Sequence, residues 1–275
     1  FENTLKKTKN HKKIIENIDV GGPTMVRSAA KNYNDVTVIT SSDQYEELIE
    51  ELKKFKGSTS LSFREKLSRI AFTETAYYDS VISDYFNKKT NTIFPKKKIL
   101  HGNLTEQLRY GENPHQQSAI YSSSSNTNLK QIHGKQLSYN NYNDMFASLQ
   151  ILDSLKKNSG TVIIKHANPC GVAIGRNIKD SFLKAFNCDN LSAFGGIVGL
   201  NEICDEDTAV EINKIFFEVV LAPGFTDKAI KILSKKKNLR LIEFNKKYSR
   251  NNSLEYRDLN GGLLIQESDI FNISI

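Results

Sequence analysis

The sequence predicts an α/β protein on three observations: short apolar runs rich in β-branched residues, helical periodicity between them, and regular alternation of the two. Residues 161–164, 195–200 and 219–222 are short apolar runs of the kind that forms buried strands. Segments with helical spacing separate these runs. Strands that alternate with helices are typical of layered α/β folds, in which helices cover a sheet.

The sequence of the first part of the chain predicts one strand among several helices. A Gly-Pro-Thr word at 22–24 begins a helix, because proline is favoured in the first helical turn, and residues 35–40 (DVTVIT) follow as a strand. This order is typical of part of a βαβ unit. Residues 41–52 are amphipathic, and residues 62–86 form a long stretch with apolar residues at helical spacing.

The second part of the chain alternates more regularly. The predicted order is strand 118–121, helix 143–156, strand 161–164, helix 179–187, strand 195–200, helix 206–217 and strand 219–222. A proline and a lysine triplet within residues 91–98 are typical of a connection between domains. The predicted domains are therefore residues 1–95 and 96–275.

Composition predicts a soluble intracellular protein. Hydrophobic residues make up 39% of the chain, which supports substantial cores, and no apolar run reaches the about 18 residues that span a bilayer. The three cysteines, Cys170, Cys188 and Cys204, are an odd number at wide spacing, which argues against a disulfide framework and for a reducing compartment. We therefore expect a cytoplasmic protein without a membrane partner.

The net charge of +7, from 38 basic and 31 acidic residues, is compatible with several kinds of partner. Nucleic acids, anionic membranes and small anionic ligands all attract a basic protein. Lysine clusters lie at 96–98 and 235–237, but no RNP, zinc-finger or helix-turn-helix word accompanies them. Solvated surface lysines also explain the charge. A basic nucleic-acid-binding or interaction protein stays open as an alternative.

Residues 161–175 (TVIIKHANPCGVAIG) contain the clearest candidate for chemistry. The apolar run delivers Lys165 and His166 into an Asn-Pro-Cys-Gly turn, and open α/β sheets bind ligands in the crevice beyond the carboxyl ends of strands. Histidine titrates near neutral pH, and a neighbouring lysine can stabilise a developing anion. The pair is a candidate base and cation. A solvated strand end and a hydrogen-bonded structural histidine remain the alternative.

Asp19 and Lys31 are candidates for a second site. Asp19 precedes a Gly-Gly turn at a helix start, where exposed N–H groups can cradle an anion. Lys31 can donate a proton or steady an oxyanion. Taken alone, Asp19 is equally explained as an ordinary helix-start residue and Lys31 as a surface lysine.

Five sequence words in one order resemble a known family. They are ENIDVGGPT at 16–24, RSAAKN at 27–32, LRYGENPHQ at 108–116, KHANPCGV at 165–172 and SAFGG at 192–196. In this order they resemble the bifunctional enzymes of purine biosynthesis that carry AICAR transformylase and IMP cyclohydrolase activities. Matching words continue to GGLL at 261–264, so the resemblance covers essentially the whole chain.

The resemblance implies that the chain is an internal fragment. In the family a Tyr-Pro-Phe word precedes the segment that resembles the stretch starting at Phe1, and family members continue past Ile275. A lysine and a tyrosine used in ring closure, and later asparagine, arginine and phenylalanine contacts to AICAR and folate, have no counterpart in these residues. We therefore expect little or no activity from the fragment alone.

The resemblance implies catalytic roles for four residues. His166 would transfer protons and Lys165 would stabilise the transition state while the 5-amino group of AICAR attacks the formyl carbon of 10-formyltetrahydrofolate. Lys31 and Asp19 would serve the closure of FAICAR to IMP, which needs proton transfers rather than a cofactor. The folate is then a co-substrate, and no tightly bound cofactor is expected.

The resemblance also implies a set of substrate contacts. The residues on these positions are Arg109, Tyr110, Phe194, Gly195, Glu218, Asp19 and Val20. An arginine fork suits phosphate or carboxamide oxygens, a glycine permits close approach to the backbone, and a carboxylate can accept hydrogen bonds from a sugar or base. Because aromatic and arginine residues flank many turns, a plain helix end remains the alternative for Arg109 and Tyr110.

The fold implied by the resemblance has two parts. The first is the C-terminal part of a methylglyoxal-synthase-like Rossmann-type domain, and the second is a cytidine-deaminase-like α/β domain that forms the first half of the transformylase. The family works as a homodimer whose sites draw on both subunits. The expected partners are AICAR, FAICAR, IMP, 10-formyltetrahydrofolate and a second copy of the chain, and not nucleic acid.

A zinc hydrolase of the deaminase type is a further alternative. The implied fold, together with His166 and Cys170, suggests it, but the deaminase signature needs a glutamate two residues after the histidine and a Pro-Cys-x-x-Cys word. Residue 168 is Asn, and Pro169-Cys170 is followed by Gly-Val-Ala. We therefore expect no metal site.

Overall fold

The chain divides into two compact units, Phe1–Asn103 and Leu104–Ile275. The structure is a computed structural model that describes residues 1–122, 129–155, 158–245 and 254–269. Residues 90–102 form neither helix nor strand. The connection predicted from the proline and the lysine triplet at 91–98 lies in this stretch.

Helices dominate the first unit. They are α1 (Glu2–Lys7), α2 (His11–Glu16), α3 (Gly21–Lys31), α4 (Tyr45–Lys54) and α5 (Leu61–Lys89). The hydroxyl of Ser60 accepts a hydrogen bond from the N–H of Phe63 and so caps α5. Apolar residues of α3 and α5 form a core cluster that includes Ala30, Leu67 and Ala71. The three helices predicted near residues 22, 41 and 62 are present.

The strand predicted at residues 35–40 was wrong. Residues 36–40 belong to neither a helix nor a strand, although Val38 is only 8% exposed and packs in the core cluster with Phe63 and Leu67. A strand needs a ladder partner for its backbone groups, and residues 1–102 contain no strand at all. The apolar pattern of this segment therefore reflects packing against α5.

The second unit is built around a six-stranded mixed sheet. Its strands, in chain order, are β3 (Leu129–His133), β4 (Ser159–Lys165), β5 (Asn168–Gly175), β6 (Ile197–Leu200), β7 (Val219–Ala222) and β8 (Arg240–Phe244), and their spatial order is β3-β8-β7-β6-β4-β5. Strands β6, β7 and β8 are parallel, whereas β4 runs antiparallel to both β5 and β6. This mixed sheet with its helices confirms the α/β prediction.

Two further two-stranded sheets complete the described strands. They are formed by β1 (Asn103–Leu108) with β2 (Ser118–Ser122) and by β9 (Leu254–Leu259) with β10 (Gly262–Glu267). The strand predicted at 118–121 is therefore present as β2, whereas β1, β3, β5, β8, β9 and β10 were not predicted.

Helices cover both faces of the six-stranded sheet. They are α6 (Tyr139–Ser154), α7 (Ile178–Cys188), α8 (Glu206–Asn213) and α9 (Asp227–Leu233). Alternate residues of β4 point to opposite faces: Val162 packs with Leu149 of α6, and Ile163 packs with Phe182 of α7. The core therefore consists of two apolar layers, one on each side of the sheet.

Some predicted boundaries differ from the structure. Helix α6 begins at Tyr139, four residues before the predicted start, because Ser138 and Asn141 form a capping box there; residue 156, its predicted end, lies outside the described residues. Helix α8 ends at Asn213, whereas the prediction continued to residue 217. The predicted turn at 168–171 was wrong, because these residues belong to β5 and the turn lies at His166 and Ala167.

Candidate active site at one edge of the sheet

Several predicted site residues meet at one edge of the six-stranded sheet. Strand β4 ends where β6 begins, and β6, β7 and β8 begin side by side. This register places Lys165 and His166, Gly195, Glu218 and Arg240 at the same edge. Lys165 ends β4 and His166 follows it, so both lie at the carboxyl end of the predicted strand. Because β4 runs antiparallel to β6, the same edge carries the amino ends of β6, β7 and β8.

The Lys165 side chain faces the loop that leads into β6. Its Nζ donates a hydrogen bond of 2.6 Å to the carbonyl oxygen of Phe194. Gly195 follows with φ of 72°, in the left-handed region that favours glycine, and its N–H donates to the Phe216 carbonyl at 2.8 Å. A Cβ atom added at Gly195 would lie 4.0 Å from Lys165 Nζ. The lysine ammonium therefore lies beside an open stretch of backbone.

His166 is the first residue of the two-residue loop between β4 and β5. It is exposed, and its φ is 54°. Among the described residues no side chain or backbone group forms a hydrogen bond with its imidazole, so both ring nitrogens face solvent or a ligand.

Glu218 lies directly before β7 and is held by two neighbours. Asn141 of α6 donates from Nδ2 to Glu218 Oε2 at 2.8 Å, and Arg240 Nη1 lies 3.5 Å from the same oxygen. Asn141 is buried, and the Glu218 side chain keeps 42% of its surface exposed. The carboxylate is therefore fixed from within the fold while one side remains open to a ligand.

Arg240 was missed by the sequence analysis. It is 8% exposed, and its guanidinium also donates to the carbonyl oxygens of Lys135 and Gln136, with 3.2 Å for each contact. Burial lowers the pKa of Arg240, the Glu218 carboxylate opposes this change, and the positive charge of Arg109 adds to it. The only sequence signal was an arginine at the start of an apolar run.

Arg109 and Tyr110 extend the site away from the sheet edge. They follow β1, and the Arg109 guanidinium lies over the Tyr110 ring, with 4.7 Å between guanidinium carbon and ring centroid. Arg109 is exposed. Because its charge acts on Arg240, the predicted nucleotide-binding pair lies near the Glu218 end of the site.

The first unit does not bring Asp19 and Lys31 together. Asp19 lies two residues before α3 and Lys31 is the last residue of this helix, whose 11 residues rise about 16 Å. Asp19 Oδ1 accepts a hydrogen bond of 2.9 Å from the N–H of Gly22, so its carboxylate occupies the anion cradle at the helix start. Lys31 is exposed at the helix end.

A cavity of about 570 Å³ lies beside Asp19 in the first unit. Its lining includes Gly22, Tyr77 and Tyr78, and the Tyr78 hydroxyl accepts a 2.7 Å hydrogen bond from the N–H of Asp19. Lys31 and Val20 do not line it. The cavity therefore contains one of the three residues that the resemblance places in the ring-closure site.

Side chains suited to metal binding do not cluster in the described ranges. No group of three or more His, Cys, Asp or Glu side chains there could hold a metal ion. Cys170, the cysteine near His166 in sequence, directs its thiol to the Ile163 carbonyl at 3.5 Å. The described residues also contain no helix with the length and apolarity needed to cross a bilayer.

One of the two lysine clusters contributes to the fold. Lys236 Nζ donates a hydrogen bond of 2.6 Å to the Ile215 carbonyl, and burial lowers the pKa of this lysine. At least this member of the cluster at 235–237 is therefore engaged within the protein rather than presented to a polyanion.

Comparison with known proteins identifies relatives over nearly the whole chain. Residues 29–275 match the profile of the family described as "AICARFT/IMPCHase bienzyme". The chain is 46% identical to the "Bifunctional purine biosynthesis protein PurH" of Listeria welshimeri over 98% of its own length and 54% of the relative. It is 45% identical to the protein of that name from Bartonella tribocorum, over 98% of the chain and 51% of the relative.

Comparison with solved structures adds little. The RibD protein of Acinetobacter baumannii matches with a TM-score of 0.31 and 15% identity, over 36% of this chain and 35% of that one. This likeness is too weak to support a conclusion about the fold. The sequence relatives decide the classification, and the chain spans about half the length of the curated relatives it matches. The resemblance noted in the sequence is confirmed: the chain belongs to the AICARFT/IMPCHase bienzyme family.

Proposed function

We propose that the protein performs the last two steps of de novo purine biosynthesis. These steps are formyl transfer from 10-formyltetrahydrofolate to AICAR, which gives FAICAR, and closure of FAICAR to IMP with loss of water. Family membership supports this proposal. The observation that carries it is the sheet edge at which Lys165, His166, Gly195 and Glu218 meet.

The groups at this edge suit formyl transfer. The 5-amino nitrogen of AICAR attacks the formyl carbon, a carbon–nitrogen bond forms, and the carbonyl oxygen becomes an oxyanion. The intermediate collapses when the bond to the folate nitrogen breaks. His166 accepts the amino proton, the folate nitrogen takes up a proton as it leaves, and the Lys165 ammonium stabilises the oxyanion. No tightly bound cofactor is needed, because the folate supplies the formyl group.

The remaining residues of the second unit bind the nucleotide. Arg109 offers a guanidinium to a phosphate or carboxamide oxygen, and Tyr110 stacks or donates a hydrogen bond. Glu218 accepts from the sugar or the base, and Phe194 with Gly195 forms the surface approached by substrate. Residues 96–275 then form a cytidine-deaminase-like domain that is the first half of the transformylase.

The first unit serves ring closure in this proposal. Residues 1–95 belong to a methylglyoxal-synthase-like Rossmann-type domain, with Asp19 and Val20 at the substrate and Lys31 in proton transfer. The cavity beside Asp19 supports a substrate site there. Because Asp19 and Lys31 lie at opposite ends of α3, the two residues act at different ends of a substrate or on different copies of the chain. The protein is a cytoplasmic homodimer.

The proposal is tested by measuring formyl transfer by the complete protein that contains these residues. The unaltered protein should convert AICAR and 10-formyltetrahydrofolate to FAICAR and then to IMP. His166→Ala should lower kcat by about 100- to 10,000-fold, the range that a positioned general base contributes, while AICAR binding is retained. His11→Ala, which changes an exposed histidine of the first unit, is the control. Equal rates for His166→Ala and the control would overturn the assigned chemistry.

A further inference from the structure

The loop that carries His166 has an unfavourable backbone conformation. Strands β4 and β5 form a hairpin in which Lys165 pairs with Asn168, so His166 and Ala167 are its two loop residues. Their φ angles are 54° and 58°. Two-residue hairpin loops with positive φ at both positions strongly favour Asn-Gly or Gly-Gly. This loop contains neither, and each left-handed non-glycine residue costs about 1–2 kcal/mol.

A carboxylate from another element holds this loop. Asp144 Oδ1 accepts a hydrogen bond of 2.6 Å from the N–H of Ala167. Asp144 lies on α6, which packs on the sheet through Met145 and Leu149, both at most 2% exposed. The acceptor is therefore attached to a rigid part of the core, and the strained loop is held from outside its own hairpin.

A second hydrogen bond, formed within the hairpin itself, holds the carbonyl group of His166. Asn168 Nδ2 donates a hydrogen bond of 2.8 Å to the carbonyl oxygen of His166. Asp144 and Asn168 therefore bind the two ends of the peptide bond that joins His166 to Ala167. With both ends of this peptide held, α6 and β5 together set the backbone from which the His166 Cα–Cβ bond projects.

The electrostatic surroundings of Asp144 fit this role. Burial raises the pKa of the Asp144 carboxyl above its ordinary value, and the hydrogen bond from the Ala167 N–H opposes this change. The Glu218 carboxylate raises this pKa as well. The groups that oppose the rise in the Asp144 pKa all belong to the loop.

We propose that Asp144 is a positioning residue for His166: by accepting the Ala167 N–H it holds the left-handed loop and aims the imidazole at the substrate amino group. The inference rests on the proposed function, because it assigns His166 the proton-transfer step. Strain at a site persists when the surrounding structure over-determines it, and here Asp144 supplies the contact from outside the hairpin.

Three variants of the complete open reading frame test the proposal. Asp144→Ala removes the acceptor, and we expect kcat for formyl transfer to fall about 10- to 100-fold, with the Kd for AICAR within about threefold, because misplacing a reacting group affects chemistry more than binding. Asp144→Asn keeps an acceptor oxygen and should retain kcat within about threefold. In Asp144→Ser the side-chain oxygen is one bond closer to the backbone and does not reach the Ala167 N–H. This variant should therefore resemble Asp144→Ala, and it replaces Asp144→Ala in the test if that variant does not fold.

Asp205 offers a matched control. It is also half-buried, and its Oδ1 accepts a backbone N–H, that of Thr208, at 2.8 Å, but it caps α8 after the far end of β6. Asp205→Ala should lower stability without lowering kcat. An unchanged kcat in Asp144→Ala and Asp144→Ser, an equal loss in Asp144→Asn, or an equal loss in Asp205→Ala would each overturn the positioning role.

Hydrogen exchange of the Ala167 amide separates this inference from the proposed function. The amide should be protected in the unaltered protein and in Asp144→Asn, and should exchange at least about tenfold faster in Asp144→Ala, because its hydrogen bond is lost. An unprotected Ala167 amide in the unaltered protein overturns the clamp itself. A protected amide in a protein that transfers no formyl group overturns the proposed function and leaves the clamp in place.

Discussion

Arg240 Nη1 lies 3.5 Å from Glu218 Oε2, at the point where β7 and β8 begin side by side. The two side chains are unequal: 10% of the Arg240 side chain is exposed, against 42% of the Glu218 side chain. A buried guanidinium is thus used to orient a carboxylate that remains open on one side. The arginine belongs to the core, and the glutamate belongs to the site.

Arg240→Ala should therefore destabilise the protein more than Glu218→Gln. The alanine variant leaves the Lys135 and Gln136 carbonyls without their charged donor, and we expect a loss of about 2–3 kcal/mol in the free energy of unfolding. Glu218→Gln removes only a partly exposed ion pair and should cost at most about 1 kcal/mol. Urea unfolding of both variants measures the difference. Equal losses would show that Arg240 acts mainly through Glu218.

Lys165→Met should separate binding from chemistry. The lysine Nζ lies against the Phe194 carbonyl beside Gly195, so the variant removes the ammonium and keeps most of the apolar stem. Loss of a preorganised partner of the oxyanion costs about 100- to 1,000-fold in kcat, and AICAR binding should change little. Steady-state kinetics and calorimetric titration with AICAR check this.

Lys184→Met is the control for that experiment. Lys184 forms an exposed ion pair with Asp180, 2.9 Å between Nζ and Oδ2, on α7. Its replacement should leave kcat unchanged. A parallel fall of kcat in both lysine variants would point to a general effect of charge on substrate encounter instead of a local role for Lys165.

Gly195→Ala should reduce both stability and activity. Its positive φ makes any side chain unfavourable by about 1–2 kcal/mol, and the new Cβ would enter the space between Phe216 and Lys165. Gly261→Ala is the matched variant: its φ is 92° and a Cβ there would meet nothing within 4 Å. Both should lose similar unfolding free energy, whereas formyl transfer should fall only in Gly195→Ala. A similar loss of activity in both variants would contradict the assignment of Gly195 to the site.

The sequence predicted the buried strands but not the loop that joins β4 to β5. Residues 161–164 and 219–222 are recognisable because continuous apolar runs are typical of strands buried on both faces. The Asn-Pro-Cys-Gly word favours a turn by local rules, yet these residues continue as β5. The turn falls two residues earlier, at His166 and Ala167, where the Ala167 N–H donates to Asp144 of α6. A contact between distant segments overrode the local preference.

The supporting residues of the site could not be predicted for a related reason. Asn141, Asp144 and Arg240 lie on segments far apart in sequence, and only the register of β7 with β8 and the packing of α6 bring them to His166 and Glu218. No spacing rule connects them. The candidate residues themselves were found from short words, whereas their geometry depends on strand directions that the words do not contain.

The cysteines should differ sharply in reactivity. Burial raises the pKa of the Cys204 thiol to about 12, so it stays protonated at every pH at which the fold is handled, whereas Cys188 is exposed. Because the thiolate is the nucleophile, iodoacetamide at pH 8 should modify Cys188 and leave Cys204 intact in the folded protein. Mass spectrometry of peptides gives the rates, and urea should make both react. Equal native rates would show that Cys204 is not buried.

Gly171→Ala tests the close packing that supports the His166 hairpin. A Cβ atom at Gly171 would lie 2.0 Å from the carbonyl oxygen of Ala185, a backbone atom of α7 that has no side-chain freedom to move away. Strand β5 would have to separate from α7, and we expect a loss of at least about 3 kcal/mol, at the upper end of overpacking costs.

Gly224→Ala is the control for this substitution, because its Cβ would meet only Ile203 Cγ1 at 3.8 Å, an ordinary contact. Urea unfolding should show a change within about 0.5 kcal/mol for this variant, the usual range for substitutions that disturb no packing. If Gly171→Ala were equally mild, β5 would not lie against α7 as closely as described. The hairpin would then lack the fixed partner strand that, together with Asp144, holds His166 in place.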